Sequence, residues 1–183
     1  MRIAVASAIL AAGLGVGGCT LPPHLAGFDT PATQRGEMPA AQEMLALHNA
    51  KRRAHCAPDL TWSSELAAAA QAWADRCEFA HASRSVNPNQ GENLARGAGK
   101  LGTAAHLFAG WYDEVRQYNF GSPSYQKGTG HFTQIVWRGT REVGCGVATC
   151  GGKSFWVCRY APQGNIVNPG YFEKNVLPVG CKP

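Results

Sequence analysis

Gly151-Gly152 stands between two runs of strand-forming residues and sets the register on either side of it. Before it, Val143, Cys145 and Val147 alternate; after it, Phe155, Trp156, Val157, Cys158 and Tyr160 populate both faces of a second strand. A two-residue glycine turn joins antiparallel strands tightly, so opposed residues carry numbers that sum to 303. Cys145 and Cys158 then face each other across the ladder, at a separation a disulfide can bridge. Cys150 has the other parity and points to the opposite face. Its partner must come from whatever packs there.

Three helices precede the hairpin. Ala41, Met44/Leu45, His48 and Arg52 recur at helical spacing over 40–54, with Pro39 where a helix can begin and Cys56-Ala57-Pro58 ending it. His48 reads as a packing histidine, and Arg52-Arg53 as helix surface. A second helix spans 64–79, capped by Ser63 or Ser64, with Leu66, Ala70, Trp73 and Cys77 in one stripe. Cys77 is therefore the natural partner of Cys150. Cys56 and Cys181 remain for each other, by elimination among fifteen pairings. A third helix spans 103–118, capped by Thr103, with Leu107, Trp111, Val115 and Tyr118 inward. The polar, glycine-rich stretches 82–102 and 119–130 read as loops.

The first 18 residues combine Arg2, a short apolar run from Ile3 to Val16 and Gly17-Gly18, an export signal too short to span a membrane. Val16-Gly17-Gly18-Cys19 resembles a bacterial lipobox, which would lipidate Cys19 and leave six cysteines, an even number for an exported domain. Ordinary cleavage nearby would instead lose Cys19 or leave it free. Residues 19–39, with Pro22, Pro23, Pro31 and Pro39, read as lipid anchor and flexible tether, and 40–183 as one domain. The formal charge of +5 is mild and no dense basic run occurs, which argues against nucleic acid as a partner. No exposed stripe or coiled-coil repeat specifies an oligomeric state.

The chemistry centres on Gly130-His131-Phe132-Thr133-Gln134-Ile135-Val136-Trp137, where an imidazole and an amide sit in an apolar, aromatic run. Such groups need partners, so the run is expected to line a cleft, with Gln134 in its wall. Candidate partners lie upstream. His81 follows the second helix, Glu92 sits in Gly91-Glu92-Asn93-Leu94, and Glu114 borders the apolar stripe of the third helix. Alone, each is ambiguous: a helix-exit histidine, a loop carboxylate, a solvated glutamate.

Together the strings resemble the CAP superfamily: cysteine-rich secretory proteins, antigen 5 and plant pathogenesis-related class one proteins. His131–Trp137 looks like one signature and Phe155–Asn165 a second, with Gly91–Leu94 and His48-Asn49 plus Arg52 as shorter ones, spread over 41–172. The resemblance implies an α+β three-layer α-β-α sandwich with a small antiparallel sheet, disulfide-stapled, and a cleft lined by His81, Glu92, Glu114 and His131. It also implies Cys77–Cys150 and Cys145–Cys158 pairs. Where plant members carry a further cysteine pair, this chain has Gln126-Lys127-Gly128-Thr129.

The function expected from the resemblance is a non-enzymatic domain binding a lipid or other small apolar ligand, an envelope component, or a protein target. The lipobox-like start adds a bacterial cell-envelope location with a membrane anchor, on the periplasmic or surface side, or secretion. Histidines and carboxylates also suit a divalent cation, zinc first, with His81 and His131 as ligands. The alternatives are a metal-dependent hydrolase using Glu92 or Glu114 as base, and a structural envelope protein. No G-x-S-x-G elbow or H-E-x-x-H helix supports catalysis.

Overall fold

The computed structural model describes residues 32–86 and 88–181, with side chains from Ala40 onward. The leader 1–18, Cys19 and the tether up to Pro31 lie outside the described residues. The elements are α1 (Ala32–Ala54), β1 (Thr61–Trp62), α2 (Ser64–Ala74), β2 (Gly91–Gly97), α3 (Ala104–Asp113), α4 (Gly130–Val136), β3 (Glu142–Cys150), β4 (Lys153–Ala161) and α5 (Tyr171–Asn175). The sheet order is β1-β3-β4-β2, with β1 parallel to β3 and the other pairs antiparallel.

The hairpin follows the arithmetic of its turn. Cys145 lies opposite Cys158, and Cys150 opposite Lys153, across a turn where Gly151 and Gly152 have φ of 56° and 75°. Disulfides join Cys145–Cys158, Cys77–Cys150 and Cys56–Cys181. The second ties the end of α2 to the sheet; the third ties the end of α1 to the C-terminal segment.

The architecture is the expected α-β-α sandwich. Helix α2 covers one face, burying Ala70, Trp73 and Ala74 against Leu94, Phe155 and Val157. Two glycines of β3 permit its close approach: a Cβ on Gly144 would lie 2.2 Å from Ala67 N, and one on Gly146 2.4 Å from the Gln71 backbone. Gln71 closes the open edge of β3, its amide exchanging two 2.9 Å hydrogen bonds with the Val147 backbone. On the other face α1, α3 and α4 bury Met44, Phe108, Trp111, Phe132, Ile135 and Trp137.

Several boundaries differ from the sequence reading. Helix α1 begins at Ala32 rather than near residue 40, so Pro39 lies inside it. Helix α2 stops at Ala74 rather than 79, because Cys77 takes a left-handed φ of 57° on its way to Cys150. The third helix ends at Asp113 and continues as a 3-10 turn over Glu114–Gln117; Thr103 caps it, accepting from His106 N. The stretch containing Gly91–Gly97, read as loop, is strand β2, held by seven residue pairs with β4. Its composition lacks β-branched residues, and only the waiting edge of β4 makes it a strand.

Arg52 corrects a second expectation. It is fully buried, not surface. Its guanidinium donates to the carbonyls of Pro58, Ile135, Trp137 and Thr140 at 2.7 to 3.0 Å, tying the segment after α1 to three carbonyls at and just beyond the C-terminal end of α4.

Candidate functional site

The four candidate side chains form two His–Glu pairs. Glu114, the first residue of the 3-10 turn after α3, directs its carboxylate at the start of α4. Oε2 accepts from His131 N at 2.8 Å and Phe132 N at 3.1 Å, while Oε1 accepts from His131 Nδ1 at 2.6 Å. A carboxylate at this place satisfies donors that helix geometry leaves orphaned and complements the helix dipole. The His131 ring stacks on Trp111, with centroids 6.1 Å apart, and its carbonyl accepts from Asn93 Nδ2 at 3.2 Å.

The second pair joins the segment after α2 to β2. Glu92 Oε1 accepts from His81 Nδ1 at 2.9 Å and from Ala82 N at 3.0 Å. The Glu92 side chain is buried at 4% exposure, while that of His81 is 63% exposed. Beneath them, directly across the ladder, lies Arg159, whose side chain is 2% exposed and whose Nη2 is 3.5 Å from Glu92 Oε2. Burial pushes the Arg159 guanidinium pKa down, and the Glu92 carboxylate opposes that shift. Glu92 Oε2 and Arg159 Nε make no hydrogen bond among the described residues, so their pairing is electrostatic and imperfect.

A groove of about 630 Å³ opens beside the second pair, within the range of small-ligand sites. His81, Arg84, Asn89 and Glu92 contribute polar atoms, with Ile166 and Val167 as apolar wall. Gln134 also borders it, but its amide is committed: Oε1 accepts from Gly164 N at 2.8 Å and Nε2 donates to Thr140 Oγ1 at 3.2 Å. A Cβ on Gly91 would fall 2.0 Å from Gln134 Oε1, so the glycine is what lets β2 lie against this amide. His131 and Glu114 are not among the residues lining this groove.

This arrangement overturns the divalent-cation expectation. Among the described residues no group of three or more His, Cys, Asp or Glu side chains is placed to hold a metal. His81 and His131 each direct Nδ1 at their own glutamate, and both glutamates also hold backbone amides. The described residues thus do not supply the three or more protein donors that a zinc centre takes.

Arg84, Arg159 and Asn165 had no role assigned from the sequence. Asn165 accepts from Thr133 Oγ1 at 2.6 Å and donates to the Gly130 carbonyl at 2.9 Å, locking the segment after β4 to α4. Parity on β4 could have found Arg159, since it is adjacent to Cys158 and must point to the other face. Nothing local distinguishes Arg84.

Comparison with known proteins gives a consistent family. Residues 45–160 match the CAP, or cysteine-rich secretory protein, family. The human Golgi-associated plant pathogenesis-related protein 1 is 40% identical over 141 residues, covering 74% of this chain and 91% of that protein. The Candida albicans protein named Repressed by EFG1 protein 1 is 38% identical over 161 residues, covering 82% of this chain but only 58% of the relative's length. The solved structure of Schistosoma mansoni venom allergen-like protein 4 superposes with a TM-score of 0.63 at 25% identity, covering 79% of this chain and 96% of that one. These findings correct the location expected from the lipobox-like start: the relatives are eukaryotic proteins, including fungal, human and wasp venom proteins, not lipid-anchored proteins of a bacterial envelope. Among the described residues no helix is long and apolar enough to cross a membrane.

Proposed function

This chain belongs to the cysteine-rich secretory protein (CAP) family, and we propose that it is an exported, non-enzymatic domain that binds a lipid in the groove beside His81 and Glu92. The observation that carries the reading is the groove itself. Its guanidinium, imidazole and amide groups, on Arg84, His81 and Asn89, suit a polar head, and the wall of half-buried Ile166 and exposed Val167 suits an apolar body. A rigid frame stands behind it, because Glu92 is tied to Ala82 N and faces Arg159, and Gln134 fastens Gly164. Glu114 is occupied by two backbone amides and an imidazole, and the second oxygen of Glu92 is buried facing Arg159, so neither is presented to the groove as a general base.

Export rests on the leader-like residues 1–18 and on the three disulfides, which persist in oxidising compartments. Residues 40–183 then constitute the binding domain.

The test is native mass spectrometry of protein recovered through its own leader, followed by titration with a fluorescent fatty acid. Bound lipid and saturable uptake are expected, with uptake weakened in Arg84→Glu and in Val167→Asp. Failure of the wild type to hold or take up lipid, or undiminished uptake in both variants, would overturn the reading. A defined protein partner captured by the same groove would replace lipid with a protein target.

A further inference from the structure

The two layers over the α2 face are unequal in length. The 11 residues of α2 extend about 16 Å at helical rise, whereas the nine-residue strands β3 and β4 extend about 30 Å. The end of α2 meets the sheet at the hairpin, where the Ala74 carbonyl lies 3.9 Å from Cys150 Sγ and Cys77 bonds to Cys150. A second groove of about 340 Å³ lies there, formed by Phe79, Arg96, Lys153 and Phe155 together with the Cys77–Cys150 disulfide. It shares no lining residue with the groove beside His81.

Its chemistry is one-sided. Phe79 is 48% exposed, a large aromatic surface left open to solvent. Its ring meets Phe155 edge-on at 5.5 Å, and the Arg96 guanidinium lies 4.7 Å from its centroid. Lys153 begins β4 directly after the glycine turn. No carboxylate lines the groove, and among the described residues neither Arg96 nor Lys153 forms an ion pair. The nearest acidic residue in sequence, Glu78, is engaged by Arg76 at 3.0 Å.

We propose that this end of the sheet binds a small organic anion, a flat apolar body bearing a carboxylate, sulfate or phosphate. The body would lie against Phe79 and Phe155, and the anionic group would take donors from Arg96 and Lys153. The Cys77–Cys150 bond pre-organises the pair of walls. It places Phe79, two residues beyond one cysteine, against the hairpin that the other cysteine closes. Holding the walls in place lowers the ordering cost of binding.

The experiment uses the full chain, with 2-naphthoate, naphthalene-2-sulfonate and 2-naphthyl phosphate as probes, followed by amide chemical shifts. Saturable shifts are expected at Arg96, Gly151, Gly152 and Lys153. Arg96→Gln/Lys153→Gln should lose about tenfold or more in affinity, since charge-assisted contacts are removed. Phe79→Ser should weaken all three probes, and Lys174→Gln on α5, outside both grooves, should leave the three affinities unchanged. The tightest of the three probes identifies the head group preferred. No saturation with any probe, shifts centred on His81, or unchanged affinity in the double variant would each overturn the proposal. Arg96, Lys153 and Phe79 are all exposed, so these variants keep the disulfide-stapled fold.

Discussion

Four histidines of this domain fall into two regions, and the partner of each ring separates them. In the core, His48 donates Nδ1–H to the Met44 carbonyl at 2.7 Å and accepts from the Tyr160 hydroxyl at 2.9 Å. His55 does the same with Leu177 and Tyr112, at 2.5 and 3.0 Å. Both rings are neutral members of closed networks. Burial holds the His48 pKa down to about 4, against the opposing pull of the Met44 carbonyl, and lowers that of His55. His81 and His131 instead face carboxylates and keep part of the ring in solvent. The core pair shows what a histidine does when it is only structural; the outer pair keeps part of each ring exposed beside a more deeply buried carboxylate.

The largest expected effect tests whether the outer pairs are structural beneath their exposed rings. Glu92→Ala leaves Arg159 buried without its counter-charge and is expected to cost about 3 kcal/mol in denaturant unfolding. Arg159→Met added to Glu92→Ala should recover most of that loss. If the single variant is as stable as wild type, the buried pair is not a support for the groove.

Acid titration addresses the core region. His48 has an ordinary value of 6.5 and a folded value of about 4, so the unfolded chain binds its proton first as pH falls. Its contribution is whole above about pH 6.5 and declines toward pH 4, by up to about 3 kcal/mol. His48→Gln should flatten that part of the stability profile, read from denaturant unfolding across the same pH range.

Glu114→Ala removes the acceptor for two backbone amides and one imidazole, and a loss of about 2 kcal/mol is expected, read as a lowered Tm. Glu114→Gln should recover part of it. The smallest effect is His81→Ala, a change within about 0.5 kcal/mol because the ring is exposed and its partner stays anchored by Ala82 N. Lipid uptake should nonetheless fall in that variant. Equal loss of stability and uptake would place His81 with the structural histidines.

Much of the scaffold was legible in residue order. The glycine turn fixes a register that brings Cys145 to Cys158, and the stripe of Leu66, Ala70 and Trp73 sets α2 on the sheet, leaving Cys77 just past its end to meet Cys150. Thr103 announced its helix as a cap. Arg52 was misread because its place on the helical stripe could not reveal that four carbonyls from two other segments converge on it. β2 was missed for the same reason: Gly91–Gly97 has no strand pattern of its own, and its seven pairs all belong to β4.

The candidate site divides along the same line. Residue types, spacing and family signatures were enough to select His81, Glu92, Glu114 and His131. Only tertiary structure decided that they pair two by two, that each carboxylate holds backbone amides, and that Arg159 lies beneath Glu92. Sequence specifies local periodicity and turn chemistry, which act over a few residues. Which donors surround a buried carboxylate depends on segments 10 to 67 residues away, and only packing brings them together.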